Sequence, residues 1–247
     1  MRKFGLTGFP LGHSFSAGYF SRKFEREGIE GCSYFNFPLD NIDQLPELIN
    51  SEPFLEGLNV TIPYKTSVMA YLDYLDPEAA AVGAVNVIKI SRDAEKPRLE
   101  GYNSDIRGIS DSIASFLALP ECEVLVLGTG GASKAVCHVL RQAGLRYFLV
   151  SRNRREGIIS YGDISRELLQ RVSLIINTTP LGMYPDTQSF PDIDYSLLDS
   201  HHTLFDLVYN PEITVFLAKG QERGCGIITG LKMLVSQAER SWEIWNS

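Results

Sequence analysis

The residues Gly128-Thr129-Gly130-Gly131-Ala132-Ser133 follow an apolar run at 124–127 and precede Ala135, Val136, Val139 and Leu140 at helical spacing. A strand, a glycine turn and a helix in that order form a site for a nucleotide pyrophosphate. Glycine lets the backbone approach the phosphates, and N–H groups at the helix start meet their charge. The match to G-x-G-x-x-G/A is Gly128, Gly130 and Ser133, with a small residue in the third place. Such turns also occur without a ligand, so the next strand matters. It is expected over residues 147–150 and ends in Ser151-Arg152-Asn153-Arg154-Arg155. An NAD site carries Asp or Glu about 20 residues on, where it binds the ribose 2′-hydroxyl. A carboxylate would repel a 2′-phosphate, whereas Arg152 with Arg154 or Arg155 can clamp one. Against the alternative of a solvated basic turn, this order of elements favours NADP(H) over NAD(H).

A second set of polar residues lies earlier in the chain. Lys65 follows Asn59-Val60-Thr61-Ile62-Pro63-Tyr64, Asn86 interrupts an apolar strand, and Asp105 follows Asn103-Ser104. An unpaired amide in such a strand is costly, so Asn86 must have partners. Lys65 and Asp105 each have a plainer reading, as a surface lysine and as a helix-start acid. Together with Asn86 they suggest a polar pocket. A Lys–Asp pair suits acid–base work on an alcohol or ketone, the lysine protonating the developing alkoxide and the carboxylate orienting it. In Gly12-His13-Ser14-Phe15-Ser16, two hydroxyls two residues apart can meet one carboxylate. From spacing alone, helix capping by Ser14 or Ser16 explains them equally well, and His13 reads as structural.

Strands expected at 3–9, 34–37, 58–62, 84–90 and 99–103 alternate with helices at 16–27, 41–50 and 65–75. This pattern indicates an α/β architecture with a mainly parallel sheet. A helix at 105–119, capped by Ser104 and stopped by Pro120, connects this lobe to a second one. There, strands are expected at 124–127, 147–150, 173–177, 203–208 and 226–228, with a helix at 133–143 and a terminal helix at 231–245. The expected organisation is therefore two lobes, residues 1–104 completed by the helix 231–247, and residues 105–230 as a Rossmann-type nucleotide-binding domain.

The composition is that of a soluble globular chain: 247 residues, 44% hydrophobic, 21% charged, net charge −7. The acidic balance gives no footprint for nucleic acid or an anionic membrane. No apolar run approaches the roughly 20 residues of a bilayer span. Cys32, Cys122, Cys137 and Cys225 form no C-x-x-C pair. They read as reduced thiols of a cytoplasmic protein, with no disulfide frame and no metal site.

These motifs, in order and over nearly the whole chain, resemble the shikimate dehydrogenase family. The resemblance is carried by Gly8-Phe9-Pro10 with His13 to Ser16, by Asn59 to Lys65, and by Gly83-Ala84-Val85-Asn86. It continues through Gly101-Tyr102-Asn103-Ser104-Asp105, Gly128 to Ala132, and Asn177-Thr178-Thr179-Pro180-Leu181-Gly182-Met183. Asp206-Leu207-Val208-Tyr209-Asn210-Pro211 and Gly230-Leu231-Lys232-Met233-Leu234 with Gln237 complete it.

The resemblance implies an N-terminal substrate-binding domain and an NADP-binding domain facing each other across a cleft, and reduction of 3-dehydroshikimate to shikimate. By position it makes Lys65 and Asp105 catalytic. Ser14 and Ser16 would bind the substrate carboxylate, and Thr61, Asn86, Tyr209 and Gln237 the ring hydroxyls. Gly128, Gly130, Gly131 and Ala132 would hold the pyrophosphate, and Ser151, Arg152 and Arg155 the adenosine ribose with its 2′-phosphate. Asn177, Thr178 and Met183 would line the nicotinamide side, and Gly230 would also bind the cofactor.

Three departures from the family pattern stand out. Ala17 to Phe20 replace its usual Pro with His-Asn, Ser104 replaces a threonine, and Ser151-Arg152-Asn153 replaces Asn-Arg-Thr. The segment 156–172 is also shorter than usual, so one helix of the nucleotide lobe is expected to be missing or reduced. The partners expected are the small-molecule substrate and NADP(H), with a monomer or homodimer as the assembly. The competing readings are a quinate/shikimate dehydrogenase using NAD, against which Arg152 argues, and a non-catalytic ligand-binding relative, against which intact Lys65 and Asp105 argue.

Overall fold

The computed structural model describes residues 1–11, 15–93, 95–119 and 121–247. By contacts it divides into two units, Met1–Ser104 with Ala238–Ser247, and Asp105–Gln237.

The first unit contains β1 (Arg2–Gly8), α1 (Phe15–Arg26), β2 (Cys32–Pro38), α2 (Leu45–Ser51), β3 (Leu55–Val60), β4 (Tyr74–Leu75), α3 (Pro77–Val82), β5 (Val87–Ser91) and β6 (Arg98–Tyr102). Its sheet runs β2-β1-β3-β5-β6-β4. β1 pairs in parallel with β2 and β3, and β4 with β6, whereas β5 is antiparallel to both β3 and β6. The sheet is thus mixed. The connection between β5 and β6 is too short for a parallel crossover, so that pair must be antiparallel.

Alternation along β5 separates two apolar layers. Val87 joins Phe4, Phe20, Phe24, Tyr34 and Trp245 on one face, and Ile88 and Ile90 join Leu45, Ile49, Leu55 and Leu58 on the other. Gly57 is required by that packing: a Cβ there would lie 2.3 Å from Nε1 of Trp245. The indole lies directly on β3 and donates to the carbonyl of Ile88 at 3.0 Å.

The second unit contains α4 (Asp105–Ser112), α5 (Ala114–Leu117), β7 (Glu123–Leu127), α6 (Gly131–Gln142), β8 (Arg146–Ser151), β9 (Ile158–Ser160), α7 (Arg166–Arg171), β10 (Val172–Asn177), β11 (Thr203–Asp206), α8 (Val215–Glu222) and β12 (Gly226–Ile228). The terminal helix, α9 (Gly230–Trp245), is divided between the units after Gln237. The sheet order is β12-β11-β10-β7-β8-β9, and every pair is parallel. All five residues of β7 are buried, as a strand covered on both faces requires. Successive strands leave β7 in one direction through β8 and β9 and in the other through β10 to β12. The switch point therefore lies between β7 and β10, where doubly wound sheets bind their ligands.

Several expectations need correction. The helix expected at 65–75 is a 3₁₀ turn, Ser67–Tyr71, followed by β4. The edge of β6 captures this segment: Asp73 N donates to Leu99 O at 2.9 Å, and Leu99 N donates to the Asp73 carboxylate at 2.8 Å. The helix expected at 105–119 breaks at Ile113, after Ser112 Oγ bonds back to Gly108 O at 2.7 Å; such bonding competes with the helix ladder. The segment 156–172, by contrast, carries β9 and only the six-residue α7, the reduced helix expected there. α8, absent from the expected elements, starts at the cap Thr214.

Cys32, Cys122, Cys137 and Cys225 are free thiols. Among the described residues no helix is long and apolar enough to cross a membrane.

Candidate active site

In the first unit, three of the expected residues come together where β1 and β3 end and β5 begins. Thr61 N donates to Thr7 O at 2.9 Å, holding the chain after β3 against β1. Gly8 allows this approach, since a Cβ there would lie 2.4 Å from Cγ2 of Thr61. A turn follows, with Tyr64 N donating to Thr61 O at 3.0 Å, and the buried Tyr64 hydroxyl anchors it on Leu39 O at 2.6 Å. Lys65, half-buried, comes directly after this anchor, and its carbonyl accepts from Val85 N at 2.7 Å. The next residue, Asn86, accepts at its carbonyl from Val60 N at 2.9 Å. Local backbone pairing thus puts Thr61, Lys65 and Asn86 at one end of the sheet.

Asn86 is 3% exposed. Its Oδ1 accepts from Ser104 N at 2.7 Å, and its Nδ2 donates to Ser104 Oγ at 3.1 Å. Ser104 Oγ lies 3.2 Å from Ser241 Oγ, which accepts from Asn59 Nδ2 at 2.9 Å. Asn59 Oδ1 accepts from the Tyr34 hydroxyl at 2.8 Å. The chain of bonds ends at Ser16, in the first turn of α1, which hydrogen-bonds Tyr34; burial pushes that phenol well above its ordinary range. A single polar network therefore runs beneath this edge from Ser16 to Asn86. Ser14 and His13 lie outside the described residues.

Asp105, also buried, is the first residue of α4 in the second unit, where a carboxylate suits the helix dipole. Gln237 is half-buried on α9. α4 meets this helix at Gly108, where a Cβ would lie 2.6 Å from Met233 O and 3.4 Å from Cβ of Gln237.

The remaining residues of the second unit gather at the switch point. Gly128, at φ +111°, stands immediately after β7, where a Cβ would lie 2.7 Å from Thr178 Oγ1. Thr178, after β10, donates through Oγ1 to Leu127 O at 2.7 Å, binding the two loops together. Gly130 caps α6 without a side-chain bond. A Cβ at Gly130 or Gly131 would meet nothing within 4 Å among the described residues. A helix start with open space beside its backbone fits a pyrophosphate.

At the end of β8, Arg152 and Arg155 are exposed, with no carboxylate partner among the described residues, while Arg154 pairs with Asp163 at 3.4 Å. Two unpaired guanidiniums beside Ser151 fit a phosphomonoester. The donor set and the open backbone are thus suited to NADP(H).

Asn177 is fully engaged with the protein. It donates to Asp206 Oδ1 at 3.0 Å and Leu181 O at 3.4 Å, and accepts from Thr179 N at 3.0 Å and Thr179 Oγ1 at 2.6 Å. It shapes the loop that ends at the exposed Met183. Tyr209 follows β11 and is 36% exposed. A Cβ at Gly230, the first residue of α9, would lie 2.7 Å from the carbonyls of Leu207 and Val208.

Asp206 receives no role from the amino-acid sequence alone, although it opens the motif Asp206-Leu207-Val208-Tyr209-Asn210-Pro211. The available signal was a carboxylate closing an apolar strand, the same signal that singled out Asn86. Ser104, Ser241 and Asn59 gave none, because serines and asparagines in ordinary contexts look like caps and turns.

Residues 6–88 match the family model of the shikimate dehydrogenase substrate binding domain. The chain is 36% identical over 257 residues to a shikimate dehydrogenase (NADP(+)) of Clostridium beijerinckii, covering 99% of this chain and 92% of the relative. A crystal structure of shikimate dehydrogenase 1 from Peptoclostridium difficile matches with a TM-score of 0.82 at 37% identity, covering 100% of this chain and 92% of that one. The shikimate 5-dehydrogenase of Thermus thermophilus, in complex with NADP(H) and shikimate, matches with a TM-score of 0.85 at 30% identity, covering 99% of this chain and 93% of that one. With identity above 30% along nearly its full length, the chain belongs to the shikimate dehydrogenase family.

Proposed function

We propose that this protein is an NADP(H)-dependent shikimate dehydrogenase, interconverting 3-dehydroshikimate and shikimate in aromatic amino-acid biosynthesis. The observation that carries the reading is its 36% identity, along 99% of the chain, to an enzyme named for that activity. The open glycine turn, and Arg152 and Arg155 without a carboxylate partner among the described residues, support the cofactor.

When bound, NADP(H) supplies or accepts the hydride. Gly128, Gly130, Gly131 and Ala132 hold the pyrophosphate through backbone N–H groups. Arg152 and Arg155, with Ser151, hold the ribose and its 2′-phosphate. Thr178, Met183 and Gly230 shape the nicotinamide side, and Asn177 does so by fixing the 178–183 loop.

On the substrate, Ser14 and Ser16 bind the carboxylate, and Thr61, Asn86, Tyr209 and Gln237 hold the ring hydroxyls. Lys65 delivers a proton to the alkoxide oxygen as the ketone is reduced and takes it back in the reverse direction; Asp105 orients the same hydroxyl. The reaction belongs in the cytoplasm, in keeping with four free thiols.

The test is NADP⁺ reduction followed at 340 nm with the purified protein, offering shikimate and quinate, each repeated with NAD⁺. Turnover of shikimate with NADP⁺ alone is the expected result. Comparable rates with quinate or NAD⁺ would transfer the protein to the dual-specificity branch, and no turnover with any pair would overturn the reading.

A further inference from the structure

The carboxylate of Asp206 collects hydrogen bonds from three separate segments. Its Oδ1 accepts from Asn177 Nδ2 at 3.0 Å and from Val208 N at 2.9 Å, and its Oδ2 accepts from Thr214 Oγ1 at 2.6 Å. Asn177 opens the loop that bears Thr178 and Met183, Val208 precedes Tyr209, and Thr214 caps α8 by accepting from Leu217 N at 3.4 Å. Asp206, Asn177 and Thr214 are all fully buried.

The register of the sheet sets Asn177 directly beside Asp206, so β10 and β11 deliver both loops to one side chain. Gly182, on the first loop, lies close to Thr214: a Cβ there would meet Cβ of Thr214 at 3.3 Å. Among the described residues no cation pairs with Asp206. A carboxylate buried without a counter-charge costs stability that an apolar residue would not, so packing alone does not account for it. Burial pushes its pKa up to about 6, opposed by the three donors.

We propose that Asp206 is a positioning residue for hydride transfer, holding the 178–183 loop and the Tyr209 segment in one fixed geometry at the end of the second sheet. The proposal rests on the dehydrogenase reading. An acceptor-only group with two oxygens suits three converging donors. An asparagine in its place keeps Oδ1 for Asn177 and Val208 but turns an NH₂ group toward Thr214 Oγ1, whose hydroxyl then loses its acceptor, so the fold survives but the loops loosen. Among the described residues the arginines after β8 share no hydrogen bond with this network, whereas the phosphate turn meets it through Thr178, which donates to Leu127 O at 2.7 Å. Loss of Asp206 should therefore affect turnover and substrate binding more than the affinity contributed by the adenosine side of the cofactor.

The experiment compares wild type, Asp206→Asn, Thr214→Val and Thr214→Ser by steady-state kinetics in both directions. Asp206→Asn should lower kcat about tenfold and raise KM for shikimate severalfold, since small misplacements of reacting groups are costly. KM for NADP⁺ should stay within about twofold, as adenosine-side binding is unchanged. Thr214→Val should move in the same direction, and Thr214→Ser, which keeps the hydroxyl, should restore wild-type values. Wild-type kcat and KM in Asp206→Asn, or an equal loss in all parameters including KM for NADP⁺, would overturn the proposal. A wild type without turnover would instead overturn the dehydrogenase reading. In that case hydrogen exchange decides the positioning: faster exchange at Thr179, Val208 and Leu217 in Asp206→Asn supports it, and unchanged exchange overturns it.

Discussion

Each of the two sheets buries polar side chains at the edge that carries its candidate site residues, and two of them, Asn86 and Asp206, are handled differently. Asn86, just before β5, is a neutral amide whose donor and acceptor both meet Ser104. Asp206, at the end of β11, is a carboxylate that only accepts, from three segments. A satisfied amide ties loops together with little electrostatic cost, whereas a buried carboxylate gains one more acceptor and carries a penalty when ionised. The surroundings differ in the same way. The first edge offers side chains able to move a proton, and the second offers backbone amides and fixed charge that bind.

The sharpest test of that division is Lys65→Ala. It should lower kcat by about 10²–10⁴-fold, the range of a general acid–base group, and leave shikimate affinity nearly intact by equilibrium titration. Unchanged turnover would end the assignment of chemistry to the first edge.

The next effect concerns the cost of the carboxylate. Asp206 titrates near 6 in the folded chain, above the ordinary 3.8. The folded state therefore holds this proton more tightly than the unfolded state. Stability from this group is highest below the ordinary value and declines as pH rises from about 4 to about 6, by about 3 kcal/mol in total. Asp206→Asn should remove that decline, as read from denaturant unfolding at pH 4, 5, 6 and 7. A pH dependence identical to wild type would place the titration elsewhere.

Asn86→Ala should cost about 2 kcal/mol by leaving the buried Ser104 N–H without its acceptor, equally at pH 5 and pH 7. A pH-dependent loss there would erase the contrast between the two residues. Smallest, Arg152→Ala should raise KM for NADPH about tenfold, one charge-assisted phosphate contact, with KM for NADH little changed. Equal effects on both cofactors would remove the clamp from the 2′-phosphate.

Much of this was written in local patterns. The run at 124–127, the glycines after it and the helical spacing of Ala135 to Leu140 determine a strand, a phosphate turn and a helix, because period and backbone freedom are properties of neighbouring residues. Arg152 and Arg155 follow from their place after the next strand. Asn86 announced a buried amide because an asparagine within apolar residues has few other fates.

Long-range pairing decided the rest. Residues 65–75 have enough helical pattern to suggest a helix, yet the open edge of β6 draws Asp73 and its neighbours into a strand. Local propensity is weak beside a ladder of tertiary hydrogen bonds. The partners of Asn86 are 18 residues away at Ser104, and that network extends to Ser241, 137 residues beyond Ser104. Asp206 stands beside Asn177 only because β10 and β11 are neighbours in register. The sequence by itself determined which residue types could do the chemistry; only the tertiary structure decided which of them share hydrogen bonds, since sheet order and register are set by contacts between residues far apart in the chain.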